Sequence, residues 1–455
     1  MEIEYVTHAS LFLRTEKTSL LTDPFFFFDS LTASCWLHYP PSPQPLTPEH
    51  FGKINYVYCS HIHEDHCHRE TLSVLKDRIE TILIPAAKSD LESRLLELDF
   101  KNIVTLPNEE SVSLPGDIVV TSFHDPNRVD TALLVEMDGK TVLHGNDCRL
   151  NPAIFHRMAK RFSIDYAFIL TTSVQDLYPC LLPLPVKRLW ELREEEEKKV
   201  LDYTFHFLEI LKPKVTIPYA CTLVLMDPEQ LFLNGLGRST PPLFKKEFEK
   251  RLPHQECWMM QPGDKIDTRK GNLLSAHAEN EWGESVDELI DNLSCYLKNN
   301  FPVHVPFDLG ELSTVIEPLQ LYFKNRLAYP FPQELENQVI RFQIRHRQGI
   351  EFFFLDLKTK KFERGKGKKP LIEITLPASM IPLLLAKQHN PYTLLFAYRI
   401  SFQIHIKKKL PPAVENAFYV VTFIALFDYA LYLQIHNTSA ARSMINIELK
   451  PNLLG

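Results

Sequence analysis

The stretch Val57 to Leu72, VYCSHIHEDHCHRETL, decides the fold of this chain. It overlaps an apolar run rich in β-branched and aromatic residues, Ile54 to Cys59, which predicts a buried strand. Helical periodicity resumes at about Glu70, so only a short loop separates the strand from a helix. That loop carries His61, His63, Asp65 and His66. Imidazole and carboxylate groups at the end of a strand predict a metal site.

The spacing of these side chains indicates two metal ions rather than one. In His-x-His the rings of His61 and His63 converge only where the backbone turns between them. The adjacent side chains of Asp65 and His66 point apart, which suits two neighbouring ions. Two ions roughly 3.5–4 Å apart can share and activate a water molecule. The alternative interpretation is a solvated histidine-rich loop without a metal.

The motif SHIHEDH after a strand resembles the metal motif of the metallo-β-lactamase superfamily. Other short motifs point to the branch that contains CMP-N-acetylneuraminate hydroxylase, with L-ascorbate-6-phosphate lactonase and N-acyl-phosphatidylethanolamine phospholipase D more distant. The chain carries no Rieske iron–sulfur pattern, which marks the electron-input domain of the sialic acid hydroxylases. The motifs that follow one another in order are THASLFLRTEKTSLLTDPF (Thr7 to Phe25), ILIP (Ile82 to Pro85), GNDC (Gly145 to Cys148), IPYA (Ile217 to Ala220) and QPGD (Gln261 to Asp264).

The resemblance implies a ligand set for two divalent ions, with zinc as the expected metal and iron or manganese as alternatives. Asp147 would bridge the ions, because a shared ligand must bring negative charge to offset two cations. His124 would be the third histidine of the first ion, although a histidine in a polar turn is the competing interpretation. Asp65 is also the expected catalytic carboxylate. The complete expected set is His61, His63, Asp65, His66, His124 and Asp147.

One ligand of the hydrolytic relatives is missing from this sequence. In those relatives the strand that corresponds to Val215 to Pro218 is followed by the last metal-binding histidine, but here Tyr219, Ala220 and Cys221 follow. The hydroxylase branch has a similar P-F-A-G stretch. Either Tyr219 or Cys221 substitutes, or another residue comes in from elsewhere, or only one ion binds. His8, in the first turn, lies near the metal site or is a hydrogen-bonded turn histidine.

Length and composition indicate the number of domains, the kind of partner and the cellular compartment to expect. A length of 455 residues predicts two or three domains, and the net charge of −7 argues against a nucleic-acid partner. Eight cysteines without a C-x-x-C pair suit a reducing compartment. The N-terminus begins a strand and shows no signal peptide, and the apolar run Phe418 to Leu433 is short for a membrane span. We therefore expect a cytoplasmic protein without stable membrane insertion.

The expected fold class is α/β, with two domains. The resemblance covers residues 1–270, which are predicted to form a metallo-β-lactamase αββα sandwich that binds metal and carries out catalysis. Residues 271–455 are predicted to form a smaller α+β domain, in which Gln338 to His346 and Gly349 to Leu357 alternate like a hairpin. The segment Ile374 to Ile400 loosely resembles sterol-carrier-protein-type domains, which hold lipid. The competing interpretation is an apolar accessory domain that shapes the substrate cleft or a homodimer.

These observations predict three functions from different classes. The first is a metal-dependent hydrolase that activates water against a small ester, lactone, thioester or phosphodiester. The second is a non-haem diiron oxygenase related to CMP-sialic acid hydroxylase, since imidazole and carboxylate ligands also suit iron. The third is a lipid-binding or interaction protein with a degenerate metal site. The intact His-x-His-x-Asp-His motif favours an enzyme over the third function.

Overall fold

The structure is a computed structural model of the 455-residue chain. For residues 228 and 229 it describes the backbone alone. The described ranges are 1–26, 36–87, 90–125, 130–170, 178–235, 240–277, 280–300, 308–332, 335–385, 395, 399–406 and 410–427.

An eight-stranded sheet carries the histidine-rich loop. Its last four strands run parallel, so their carboxyl ends lie at one edge of the sheet. The side chains that follow those strands therefore meet at that edge. In spatial order its strands are Asn272–Leu274 (β17), Lys265–Asp267 (β16), Glu2–Thr7 (β1), Ser10–Arg14 (β2), Ser19–Thr22 (β3), Ile54–Tyr58 (β5), Ile79–Pro85 (β6) and Ile103–Leu106 (β7).

A second sheet of seven strands faces the first. Its strands are Glu256–Cys257 (β15), Val215–Tyr219 (β13), Tyr166–Leu170 (β12), Lys140–His144 (β11), Thr131–Met137 (β10), Ile118–His124 (β9) and Ser111–Leu114 (β8). The strands β11, β12 and β13 are parallel, so His144 at the end of β11 and Tyr219 at the end of β13 lie at one edge of the sheet, with β12 between their strands. A two-stranded ribbon lies apart from both sheets and pairs Trp36–His38 (β4) with Leu223–Leu225 (β14).

The two sheets pack face to face because their strands alternate in the direction of their side chains. Tyr56 and Tyr58 of β5 point into a core that Leu133, Val135 and Phe168 of the second sheet share. The intervening side chains of β5 pack on the other face of their sheet, against helices. The outer face of the second sheet is covered by helices in the same way. The predicted α/β class and αββα sandwich are confirmed.

The helices lie outside the two sheets or in the C-terminal part of the chain. Short 3-10 turns span Lys76–Arg78, Pro228–Gly235 and Leu312–Thr314. The α-helices are Pro48–Phe51 (α1), Arg69–Leu75 (α2), Leu91–Glu97 (α3), Pro152–Arg161 (α4), Val186–Leu211 (α5), Pro241–Arg251 (α6), Val286–Asn300 (α7), Ile316–Arg326 (α8), Met380–Leu385 (α9) and Pro412–Phe427 (α10).

The C-terminal part is built on a five-stranded sheet with helices α8, α9 and α10 on one face. The predicted hairpin is confirmed, and it forms two neighbouring strands of this sheet. Residues 386–394 and 396–398 of the segment compared with sterol-carrier domains lie outside the described residues. The strands, in spatial order, are Lys361–Arg364 (β20), Gly349–Asp356 (β19), Val339–His346 (β18), Ile372–Pro377 (β21) and Ser401–Ile404 (β22).

One hydrophobic cluster joins the C-terminal part to the sandwich. It contains Phe25 and Trp36 from the N-terminal part together with the inner face of the five-stranded sheet. A buried ion pair between Arg399 and Asp227, 2.5 Å apart, also crosses between the two parts. The strand β17 lies beyond residue 270 but pairs with β16, and the domain boundary at 270 stays a prediction.

The predicted apolar run from Phe418 begins inside α10, and its end lies outside the described residues. Among the described helices, none combines the length and the hydropathy needed to cross a bilayer.

Candidate metal centre

The histidine-rich loop turns sharply between the end of β5 and the start of α2. The backbone N–H groups of His66 and Cys67 both donate to the carbonyl of His63, at 3.1 and 2.8 Å. The imidazole of His68 then caps α2 by accepting from the N–H of Thr71. The turn brings the side chains of the loop to the edge where the parallel strands of both sheets end.

Three groups of potential metal ligands meet in this place. Each group contains two imidazoles and one carboxylate whose ligand atoms lie within 4.8 Å of one another. The groups share His61 and His66, so they form one continuous cluster. They are His61, His63 and Asp130; His8, Asp65 and His66; and His61, His66 and Asp147.

Five of the six predicted ligands belong to this cluster, and His124 does not. His124 ends β9, and its backbone N–H donates to the side chain of Asn108 at 3.0 Å. Asp130 stands beside His61 and His63 instead, with 3.7 Å between its carboxylate and Nε2 of His61. The sequence offered a signal for this, because Asp130 directly precedes β10. That strand pairs with β9, and Thr131 lies opposite His124.

A buried carboxylate, Asp23, fixes the rings of the loop from behind. Its Oδ2 accepts from Nδ1 of His66 at 2.8 Å and from the hydroxyl of Ser60 at 2.8 Å. The Ser60 oxygen lies 3.0 Å from Nδ1 of His61. Because an ionised carboxylate only accepts, the proton of His66 sits on Nδ1, and the Ser60 hydroxyl is left to accept from Nδ1 of His61. His61 therefore presents an unprotonated Nε2 to the cluster, and His66 does so once its ring is neutral.

The exposed ends of the cluster are its carboxylates and His63. His63 is exposed, whereas His61 and His66 are fully buried. The side chains of Asp65, Asp130 and Asp147 are 19%, 18% and 27% exposed, so water and a small molecule can reach the carboxylates. The cluster thus has buried imidazoles behind and open carboxylates in front.

The electrostatics of the cluster favour bound cations. Burial, with His66 and His63 close by, holds the pKa of His61 well below its usual value, so its ring is neutral and able to bind metal. Burial alone would lower the pKa of His66, but Asp147, Asp65 and Asp23 raise it well above its usual value. That shift measures how strongly the surrounding carboxylates attract positive charge.

The donor set fits two divalent ions. Imidazole nitrogens bind zinc at about 2.0–2.1 Å, so two of them on one ion lie about 3 Å apart. Nε2 of His61 and Nδ1 of His63 are 2.8 Å apart. The carboxylates Asp23, Asp65, Asp130 and Asp147 together carry four negative charges, which two divalent ions balance.

Tyr219, at the strand end where the resemblance predicts a metal-binding histidine, makes hydrogen bonds behind the cluster. The Tyr219 hydroxyl accepts from the backbone N–H of Asn146 at 2.6 Å and lies 2.8 Å from Nδ1 of His144. Nε2 of His144 donates to Asp23 at 3.0 Å. Tyr219 therefore supports the loop of Asp147 from behind and is not a ligand in the described cluster. Cys221 lies in an apolar cluster with Leu37 and Trp282 and other side chains.

Sequence reasoning missed the role of Asp23 and left that of His8 open. Asp23 lies 37 residues before Ser60, in the motif Thr7 to Phe25 but outside the histidine-rich metal motif, and it directly follows β3. Since β3 pairs with β5 in parallel, their ends meet at the same edge. A buried carboxylate behind metal-binding histidines is a common arrangement, and the Asp23-Pro24 turn was the available signal.

A comparison with protein families confirms the resemblance seen in the sequence. Residues 2–160 match the family described as the beta-lactamase superfamily domain. The chain is 24% identical over 284 residues to cytidine monophosphate-N-acetylneuraminic acid hydroxylase of Cricetulus griseus, a match that covers 59% of this chain and 48% of that protein. The chain thus spans about half the length of the curated relatives it matches.

Two solved structures are also similar to this chain. CmlA, a diiron beta-hydroxylase from Streptomyces venezuelae, is 18% identical with a TM-score of 0.40, and the match covers 60% of this chain and 54% of that chain. A metallo hydrolase from Ignicoccus hospitalis is 16% identical with a TM-score of 0.41, and the match covers 58% of this chain and 97% of that chain.

Proposed function

We propose that this chain, which carries a beta-lactamase superfamily domain, is a metal-dependent hydrolase that acts on an ester, lactone, thioester or phosphodiester. The observation that carries the proposal is the continuous cluster in which His61 and His66 each belong to two ligand groups. Such sharing supports a site for two neighbouring ions. When bound, two divalent ions lower the pKa of water towards neutrality and polarise the scissile carbonyl or phosphoryl oxygen.

The residues of the chain take distinct parts in this proposal. His61, His63 and Asp130 hold one ion, and Asp65 with His66 hold the other. Asp147, 3.2 Å from Nε2 of His66, stands between the two sets. The half-buried carboxylate of Asp65 stays ionised because His66 and His8 lower its pKa well below the usual value, although burial opposes this. It can therefore accept a hydrogen bond from the attacking water and orient it.

A diiron oxygenase is the second candidate, and two observations favour it. Each ligand group has two histidines and one carboxylate, which is the donor set of many non-haem iron oxygenases. A curated relative is a hydroxylase that shares 24% identity over 284 residues. This function requires a source of electrons.

Elemental analysis of the purified full chain tests these proposals. Two equivalents of zinc or manganese, with hydrolysis of a panel of esters, lactones, thioesters and phosphodiesters, are the results expected for the hydrolase. Iron together with oxygen-sensitive absorption would favour the oxygenase. His63→Ala and Asp147→Ala should each lose metal, because each removes a member of the cluster.

A control variant sharpens the experiment. His254→Ala removes a histidine outside the described ligand groups and should leave the metal content unchanged. A purified chain without metal above background, which gains none on addition of zinc, manganese or ferrous iron, would overturn both enzyme proposals. The lipid-binding function would then be the one to pursue, by lipid extraction.

A further inference from the structure

We propose that His8 is the ligand that replaces the missing histidine of the second ion, and that residues 219–222 hold it in place. The inference rests on the proposed dinuclear site. In it, the loop after β13 no longer supplies a ligand of its own and positions one from the first turn of the chain instead. The second ion then has His8, Asp65 and His66 as its protein ligands, with Asp147 shared.

The surroundings of the His8 ring suit a ligand better than a structural histidine. The ring is fully buried, and its Nε2 lies 3.3 Å from Oδ2 of Asp65. Its Nδ1 is buried and has no hydrogen-bond partner among the described residues. A buried polar atom without a hydrogen-bond partner destabilises the fold, and the 3.3 Å contact of the His8 ring with Asp65 is long. Coordination of a cation through Nε2, the nitrogen that faces Asp65, would give the ring a stronger polar partner.

Two hydrogen bonds join the loop after β13 to the backbone of His8. The N–H of Ala220 donates to the carbonyl of His8 at 3.0 Å. The N–H of His8 donates to the hydroxyl of Thr222, also at 3.0 Å. These two bonds fix the peptide groups on either side of the Cα of His8. The direction in which its side chain leaves the backbone is therefore set by the loop.

Thr222 is itself held by a second histidine. The Thr222 hydroxyl lies 2.9 Å from Nδ1 of His38, and Nε2 of His38 donates to the carbonyl of Phe25 at 3.0 Å. Because Nε2 carries the proton, Nδ1 accepts from the hydroxyl, which leaves the Thr222 oxygen free to accept from His8. The chain of bonds runs in one direction from the His8 backbone to Phe25.

The backbone is strained at His8 and at Ala220. His8 has φ 46° and Ala220 has φ 57°, so two residues with a Cβ adopt the left-handed region in contact with each other. Asp23 and Asn146, which support the other ligands, have φ 38° and 36°. This conformation is strained for a residue with a Cβ, and strain of this kind is typical of functional sites. A structural turn could use glycine and avoid that strain.

The test measures metal stoichiometry and affinity on the full chain, with Zn²⁺ as the probe. Wild-type protein should bind two equivalents, and His8→Ala and His8→Gln should each bind one. Thr222→Val removes the hydroxyl that holds His8 and should weaken the second ion about 10–100-fold. Thr222→Ser keeps the hydroxyl and should bind two ions with wild-type affinity.

Thr216→Val is the matched control, because Thr216 is a fully buried threonine of β13 whose hydroxyl has no hydrogen-bond partner among the described residues. It should bind two ions as wild type does. If the His8 variants do not fold, as judged by circular dichroism, the comparison of Thr222→Val with Thr222→Ser decides.

The outcomes separate this inference from the proposed function. Two ions bound with unchanged affinity in the His8 and Thr222→Val variants would overturn the role of His8 and leave the dinuclear site standing. A wild-type chain that binds no Zn²⁺, or one equivalent that the His8 variants retain, overturns both. One equivalent that the His8 variants lose keeps His8 as a ligand and removes the dinuclear site.

Discussion

The carboxylate of Asp23 lies 2.8 Å from Nδ1 of His66, on the side of the ring that faces away from the cluster. The same oxygen accepts from the Ser60 hydroxyl and from His144. One buried charge therefore determines the proton position on two predicted ligands, on His66 directly and on His61 through Ser60. Burial opposes the ionised form of Asp23, but His66 and His144 outweigh it and lower its pKa below the usual range.

Replacement of Asp23 by asparagine should weaken metal binding and destabilise the fold. An amide cannot accept from His66, His144 and Ser60 at once, so at least one ring loses its orientation. We expect metal affinity to fall about 10–100-fold and the free energy of unfolding to fall by about 3 kcal/mol. Zinc titration and urea unfolding measure the two effects.

Asp117→Asn is the control for that variant, since Asp117 also has a positive φ, of 60°, and its side chain is 75% exposed. Its ion pair with Lys17 should contribute less than about 1 kcal/mol. Equal effects of the two variants would contradict a special role for Asp23.

Removal of metal should lower the stability of the wild-type chain. A ligand that binds only the folded state stabilises it by about 2.7 kcal/mol at a hundred times its dissociation constant. Thermal unfolding before and after chelation, and again after zinc is restored, measures this difference. Asp147→Ala should show a smaller shift on chelation, and an unchanged melting temperature in the wild type would argue against bound metal.

Acid should destabilise the protein through His38. Burial, with His8 nearby, lowers the pKa of His38 to about 3, from an ordinary value of 6.5. Between these values the unfolded chain binds the extra proton, so this contribution is complete above pH 6.5 and is lost as the pH falls towards 3. The slope is about 1.4 kcal/mol per pH unit at most.

The variant His38→Gln tests this pH dependence, because glutamine can still donate to the Phe25 carbonyl. Urea unfolding of both proteins from pH 8 to pH 4 should show a shallower loss of stability in the variant. Parallel curves would mean that His38 contributes nothing to the acid sensitivity.

The ion pair between Arg399 and Asp227 should matter more than an exposed one. The two side chains are only 9% and 4% exposed, and removal of one partner leaves a buried charge. We expect Arg399→Met to lower the free energy of unfolding by about 3–5 kcal/mol. Arg347→Met removes an arginine that is 56% exposed and pairs with Asp308, and it should cost less than about 1 kcal/mol.

The sandwich and most of the cluster could be predicted because their signals are local in the sequence. An apolar strand followed by His61, His63, Asp65 and His66 fixes both an element and its chemistry within a dozen residues. Asp147 could be found from a resemblance, because it stands in the motif GNDC (Gly145 to Cys148). The hairpin of the C-terminal part could also be predicted, because apolar and polar residues alternate along its two strands.

The parts that escaped prediction depend on contacts between distant segments. His124 ends β9 and Asp130 precedes β10, and only the pairing of these strands decides which of the two side chains lies beside His61. Asp23 and Tyr219 act through hydrogen bonds to residues 37 and 73 positions away, as with Ser60 and Asn146. No pattern of spacing in one segment contains that information.

Phe25 contacts both the candidate metal centre and the C-terminal part of the chain. Its ring lies 5.9 Å from that of His8 and 4.9 Å from that of His38, and the same ring belongs to the hydrophobic cluster of the C-terminal sheet. The C-terminal part of the chain therefore packs behind the metal centre. A chain cut at residue 270 would lose the C-terminal side chains that pack behind the metal centre. A homologue that has only the N-terminal part must cover this face with other residues.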